Sequence, residues 1–209
     1  GTTTVYDITE PVTHSVIAEG MIAHNCNLAS LNLVQFLNDD GNFDSQRFAQ
    51  AARVWTTTLE ISVTMGQMPS KRIAEKNHGY RTLGLGYANL GTLLMRMGLP
   101  YDSDESFGWC GAINALLTGM AYRTSAEMAQ QLGAFQRFDA NREPMLRVIR
   151  NHRRAAYAAD STEYEGLTVK PVTHMPTLFT EKTWALARKM WDEALSIGEV
   201  SGYRNAQVS

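Results

Sequence analysis

His24-Asn25-Cys26 is the tripeptide of this chain whose residue types can do the most chemistry. An Asn side-chain amide can attack its own backbone carbonyl, close a succinimide ring and release the residue that follows, provided a neighbour protonates the departing amine. His24 stands where that help is needed. Cys26, on the far side of the breaking bond, brings a thiol that can first receive an upstream chain as a thioester, so that cleavage becomes rejoining. Positioning these groups falls to two short apolar runs between Val5 and Ala23, interrupted by Ala18-Glu19-Gly20. The spacing there is near two, which predicts short strands.

Beyond Cys26 the apolar period changes to about 3.6, and helices are expected. Asp44 can cap a helix with the buried stripe Phe48, Ala52, Trp55, Leu59 and Val63, ending near Met65-Gly66 with Pro69 soon after. A second helix is predicted from about Leu83 to Met97, stopping at Gly98-Leu99-Pro100. A third follows the acidic Asp102-Ser103-Asp104-Glu105 cluster and runs through Cys110, Ile113, Leu117, Met120 and Met128 to Leu132-Gly133. Pro144 to Tyr157 reads as the next helix, residues 160 to 180 as a loop, and Thr180 to Ile197 as the last helix, ended by Gly198. The clear boundary lies between Asn25 and Cys26, giving regions 1–25 and 26–209.

The 209 residues suffice for a real core. A formal net charge of -2 and a pI near 6.2 carry no electrostatic footprint for nucleic acid or an anionic membrane, so neither is expected as a partner. No apolar run is long enough to span a bilayer and no signal-peptide pattern opens the chain, which makes a cytoplasmic location the expectation. Two cysteines are too few for a disulfide framework, and neither has metal-ligand spacing; no metal site is expected. Gly84-Leu85-Gly86 with Gly91 lacks a preceding Val/Ile strand and a third Gly in place, so it reads as close helix packing rather than a dinucleotide loop. Cys110 is expected to be a small buried hydrophobe, and Arg147, Arg150, Arg153 and Arg154 with His152 a solvated basic edge. His78, His152 and His174 share no ligand spacing.

Tyr6-Asp7-Ile8, His14, Ala18-Glu19-Gly20, Met21-Ile22-Ala23 and His24-Asn25 before Cys26 together resemble the C-terminal splicing region of an intein. The resemblance implies that Asp7 and His14 form a supporting acid/base pair, that His24 assists cyclisation, that Asn25 cyclises, and that Cys26 is the downstream nucleophile.

The rest is similar to the large chain of ribonucleotide reductases. Cys26-Asn27-Leu28-Ala29-Ser30-Leu31-Asn32-Leu33 resembles that family's Cys-Asn-Leu block, and Tyr80 to Leu90 with Gly98-Leu99-Pro100-Tyr101-Asp102-Ser103 resembles the segments that follow it. Arg204-Asn205-Ala206-Gln207-Val208-Ser209 resembles the run leading into a substrate-phosphate loop, and Met145 to Tyr157 looks most like the adenosylcobalamin-dependent, class II enzymes. The resemblance implies an α/β fold: a short β-rich intein piece, then a mainly helical segment of a ten-stranded α/β barrel. It also implies a thioredoxin-dependent ribonucleoside-diphosphate reductase, with triphosphate substrates left open. Its cofactor would be adenosylcobalamin, its reductant thioredoxin or a similar dithiol, its assembly a homodimer, and Cys26 one thiol of a redox disulfide.

The thiyl-bearing Asn-x-Cys-x-Glu finger and the N-terminal intein blocks are not found in this sequence. It is therefore expected to be an internal piece of a longer precursor, inactive by itself. The alternative is the C-terminal half of a split intein acting in trans on a reductase, although Gly1-Thr2-Thr3-Thr4 offers no start.

Overall fold

A computed structural model describes residues 15–18, 21–24, 27–66, 68, 70–172 and 176–205, with side chains from Asn27 onward. The first described elements are two antiparallel strands, β1 (Ser15–Ala18) and β2 (Met21–His24), in the register Ser15↔His24 and Ala18↔Met21. A separate two-stranded sheet follows, in which β3 (Leu28–Asn32) pairs in parallel with β4 (Gly84–Ala88), Leu28 opposite Gly84 and Asn32 opposite Ala88. Parallel neighbours need a long crossover. Here it consists of a 3-10 turn (Leu33–Phe36), α1 (Ser45–Met65) and α2 (Lys71–Tyr80). The chain then continues through α3 (Leu90–Arg96), α4 (Asp104–Leu132), α5 (Phe138–Ala156) and α6 (Glu181–Ser201).

α1 forms as its pattern predicts. The Asp44 side chain accepts from Arg47 N, and Phe48, Ala52, Leu59 and Val63 are buried. Trp55 is instead 44% exposed: Thr56 takes the interior position and returns its hydroxyl to Ala52 O at 2.8 Å, which makes a polar side chain compatible with the core. α2 buries only Gly79, so no apolar period announces it. Ser70 starts it by accepting from Ile73 N, and Arg81, in the left-handed region at φ 50, ends it.

The helix expected from Leu83 to Met97 is corrected to a strand followed by a short helix. The backbone of residues 84–88 is taken by the ladder with β3, and a Cβ on Gly84 would overlap Leu28 Cδ2 and stand 3.5 Å from Leu28 Cγ. Gly84-Leu85-Gly86 is thus a buried strand whose small residues admit its neighbour, rather than a helix-packing motif. Asn89, at φ 67, turns the chain into α3 and donates from Nδ2 to Asn32 Oδ1 at 3.0 Å.

α4 starts at Asp104, inside the acidic cluster it was expected to follow, with Ser103 as its cap, and ends at Leu132 before Gly133, as predicted. α5 begins earlier than expected, at Phe138, with Pro144 inside the helix. Buried Phe138 and the bond from Arg137 N to Gly79 O at 3.2 Å dock the extra turns ahead of the proline. α6 runs past Gly198 to Ser201 and stops at Gly202, φ 72, because Gly198 serves packing and not termination. One core joins β3, β4, α1 and α3 to α4; a second joins α4, α5 and α6 around Trp191 and Tyr203.

Candidate functional site

Asp7, His14, Asn25 and Cys26 lie outside the described residues, and His24 is described in backbone only, as the last residue of β2. The structure is informative about the residue that follows Cys26 in the sequence. Asn27, immediately after it, is clamped: Nδ2 donates to Leu59 O at 2.9 Å, Oδ1 accepts from the Ser62 hydroxyl, and its carbonyl accepts from Gly84 N at 2.9 Å. Leu59 and Ser62 belong to one turn of α1. The start of β3 is therefore fixed to a helix and to the neighbouring strand at once.

The same turn of α1 carries Glu60, a buried carboxylate with side-chain exposure of 5%. Arg81 Nε donates to Glu60 Oε1 at 2.6 Å, and Arg81 also reaches Glu60 O at 3.1 Å and Thr64 Oγ1 at 2.7 Å. Arg204 brings a second guanidinium to the same oxygen, with Nε at 2.9 Å and a terminal nitrogen at 2.7 Å, and donates onward to Gly133 O at 3.2 Å. Around Arg204 the chain is held throughout. Phe135 N donates to Tyr203 O at 2.9 Å, Arg204 N to Ser125 O at 3.2 Å, Ser125 Oγ to Asn205 O at 3.0 Å, and Asn205 Nδ2 to Tyr80 O at 2.7 Å.

The basic edge of α5 is not a free solvated face. Arg150 pairs with Glu165 and Glu143 at 2.7 and 2.5 Å, Arg154 with Glu165 at 2.6 Å, and Arg153 with Asp192 at 2.6 Å. Hydrogen bonds from Arg150 and then Arg154 pull the Glu165 carboxyl down to about 2, and bonds to Glu165 and Glu143 raise the Arg150 guanidinium above its ordinary range. Arg147 lies against the open side of Gly166. These arginines brace the loop after α5 and leave no cluster of spare charge for a phosphate.

His152 stacks on Trp191, centroids 5.1 Å apart and planes 2° from parallel, and packing pushes its pKa down. His78 closes α2, and His174 lies outside the described residues. Among the described residues no group of three His, Cys, Asp or Glu could hold a metal ion. Cys110 is half-buried rather than buried, and desolvation raises its thiol pKa, which favours the inert protonated form. No described helix is long and apolar enough to cross a membrane.

Sequence reasoning missed Glu60, Arg81 and Arg204 as a unit and Asn27 as an anchor. A signal for the first was present: Glu60 interrupts the apolar arc of α1 between Leu59 and Val63, where a charge must find a partner.

A parallel strand pair joined by a helical crossover is a unit of α/β folds. A sequence model of the ribonucleotide reductase barrel domain matches residues 11–209, and the chain belongs to that family. It is 54% identical over 186 residues to a vitamin B12-dependent ribonucleotide reductase of Agrobacterium fabrum, covering 88% of this chain and 14% of that protein. Similar proteins of the same name occur in Bradyrhizobium diazoefficiens, 52% identical over 186 residues (88% of this chain, 15% of that one), and in Streptomyces coelicolor, 40% identical over 189 residues (88% and 18%). The chain thus spans less than a fifth of the length of these relatives.

Proposed function

We propose that residues 26–209 are a segment of the catalytic barrel of an adenosylcobalamin-dependent ribonucleotide reductase, and that residues 1–25 are the C-terminal splicing region of an intein that interrupts it before Cys26. The observation that carries the reductase reading is the barrel-domain match over residues 11–209, with 54% and 52% identity to relatives named vitamin B12-dependent ribonucleotide reductase; the Asn27 clamp fixes the start of β3 beside the position of Cys26 in the sequence. The names of the relatives supply the cofactor and the reaction class.

In the proposed reaction a ribonucleotide and a dithiol give a deoxyribonucleotide, water and a disulfide. The 2'-hydroxyl leaves as water and hydrogen replaces it, while Cys26 and a second thiol elsewhere in the protein lose two electrons and close a disulfide. Thioredoxin or a similar dithiol then restores both thiols, which demands that Cys26 be reachable and readily ionised. The substrate is a ribonucleoside diphosphate, and the full-length enzyme is a homodimer. Adenosylcobalamin supplies the radical chemistry when bound. The described residues do not fit that cofactor: His152 lines a cavity of about 170 Å³, below the ~300–1,000 Å³ typical of sites for drug-sized ligands, and a larger cavity of about 560 Å³ near Trp109 has no histidine in its lining. Its contacts are therefore assigned to other parts of the polypeptide.

The splicing reading is supported by the motif. The barrel-domain match itself starts at residue 11, so the boundary at Asn25-Cys26 rests on the chemistry of those two residues. His24 protonates the departing amine, the Asn25 side chain closes the succinimide, and Asp7 and His14 assist. Cys26 receives the upstream chain as a thioester before Asn25 cyclises.

The test is expression of the full-length precursor. Intact mass will show a product whose new junction lies at Cys26, and Asn25→Ala will block its release. Retention of residues 1–25 in the mature protein refutes the splicing reading. Cys26→Ser is expected to splice slowly through an ester and then to fail in multiple-turnover reduction with thioredoxin, because one sulfur of the couple is gone. Wild-type turnover by that spliced variant refutes the redox assignment.

A further inference from the structure

Only Asn25 and Cys26 stand between His24, the last residue of β2, and Asn27, the residue held in the clamp. Three Cα-to-Cα steps of ~3.8 Å join His24 to Asn27, so the peptide bond that splicing must break belongs to a tether of at most ~11 Å. Its downstream end is fixed by the Asn27 amide. Leu59 O can only accept, which decides the orientation of that amide: Nδ2 donates to Leu59 O at 2.9 Å, and Oδ1 is turned to the Ser62 hydroxyl. Ser62 has a single proton, and Leu59 O, 2.8 Å from the hydroxyl, is already served by Asn27, so Oδ1 is the acceptor that depends on Ser62. On the other side the Asn27 carbonyl accepts from Gly84 N at 2.9 Å, where the pairing of β3 with β4 begins. Leu59 and Ser62 lie 32 and 35 positions beyond Asn27, so the clamp exists only when α1 and β4 are packed against the start of β3.

The geometry points to Ser62 as a positioning residue for splicing: through the Asn27 amide it holds the downstream side of the Asn25–Cys26 bond, and release of the upstream piece thereby depends on the folded α1 and β4 of the segment that remains. This rests on the splicing reading. In the step concerned, the Asn25 side-chain nitrogen bonds to the Asn25 backbone carbonyl carbon and the bond from that carbon to the Cys26 nitrogen breaks. A proton from the side-chain amide reaches the departing amine with the help of His24, and the freed amine then takes the acyl group from the Cys26 sulfur; no oxidant or reductant takes part. Ring closure is faster when the leaving group is already held, because its orientation is set in advance and not searched for. A residue that only stabilised the fold would change unfolding and leave the sequence of splicing steps as it was. A positioning residue slows cyclisation and lets the thioester that precedes it accumulate.

The experiment follows the full-length precursor by pulse-chase in expressing cells, separating precursor, branched thioester and spliced product on gels and marking the thioester by its cleavage with hydroxylamine. Ser62→Ala is expected to slow release about tenfold and to build up the branched species, short of the ~100-fold that a misplacement of ~1 Å can cost. Ser62→Thr keeps the hydroxyl and is expected to restore the rate. Asn27→Ala is expected to be at least as slow as Ser62→Ala, and the double variant no slower than Asn27→Ala, because Ser62 acts through Asn27. Leu146→Ala, in the second core and away from the clamp, controls for lost stability: its spliced product unfolds at a lower temperature while its splicing keeps the wild-type rate. A precursor with Ser62→Ala that splices as fast as a splicing wild type overturns the inference, as does equal slowing by Leu146→Ala or a double variant whose effects multiply. A wild-type precursor that keeps residues 1–25 ends the splicing reading and this inference with it. Should Asn27→Ala fail to fold, Ser62→Ala and Ser62→Thr decide alone: slowing in the first and rescue in the second are both required.

Discussion

Gly198→Ala will loosen the run around Arg204, although alanine is the better helix former. A Cβ at this position in α6 would overlap Cζ and the hydroxyl of Tyr203 and stand 2.6 Å from its Cε1. Tyr203 is 0% exposed, edge-on to Phe138 and Tyr122, and its hydroxyl donates to Ala194 O at 2.9 Å, so the ring has nowhere to go. The helix gains ~1 kcal/mol from replacing glycine. Against this, overpacking a filled core costs ~1–3 kcal/mol, and losing the Tyr203 hydrogen bond costs ~1 kcal/mol more. The balance is roughly 2 kcal/mol of local destabilisation, which corresponds to about thirtyfold in the opening equilibrium. Hydrogen exchange on the full-length protein reads this directly. The amides of Phe135 and Arg204, bonded to Tyr203 O and Ser125 O, are expected to exchange about thirtyfold faster, while those of α1 keep their rates. In a Tyr203→Ala background the sign reverses, and Gly198→Ala becomes stabilising by about 1 kcal/mol. Unchanged or slower exchange at Phe135 and Arg204 in the single variant would refute the packing on which this estimate rests.

Asn27→Ala is expected to cost ~1–2 kcal/mol through its two side-chain bonds to α1 and to slow multiple-turnover reduction with thioredoxin more than it raises nucleotide KM, as a displaced start of β3 requires; equal changes in both parameters would contradict that. Glu165 gives a pH signature. Its carboxyl sits near 2 when folded against 4.5 ordinarily, so the stability it contributes is present above pH 4.5 and is lost as pH falls toward 2. Because the side chain is about one-third exposed, solvent screening reduces this contribution to ~1 kcal/mol. Glu165→Gln is therefore expected to lower the midpoint of thermal unfolding at pH 6 and to converge with wild type near pH 2; a constant difference across that range would show that the ion pairs with Arg150 and Arg154 are not its source.

How much of this was legible in the sequence depends on which forces act locally. The Asp44 cap, the acidic cluster from Asp102 to Glu105 and the stop at Leu132-Gly133 placed the start of α1 and, near their observed positions, both ends of α4, because helix-end interactions need no distant partner. The Cys26-Asn27-Leu28 run marked the family, since motif order survives without coordinates. Distant chain decided the rest. Residues 84–88 carry two glycines and a helix-length apolar run onward to Met97, and only the backbone of β3 alongside makes them a strand. Gly198 reads as a stop signal until the ring of Tyr203 shows that the missing Cβ is what α6 needs there. The arginines of α5 read as a solvated edge because Glu165 and Asp192 reach them from other segments. Sequence by itself determined which residues could do chemistry and where most helices begin. Tertiary structure alone decided that Glu60, Arg81 and Arg204, separated by as many as 144 positions, share one buried oxygen, since charge placement in a low-dielectric interior is a property of the packed chain and not of its order.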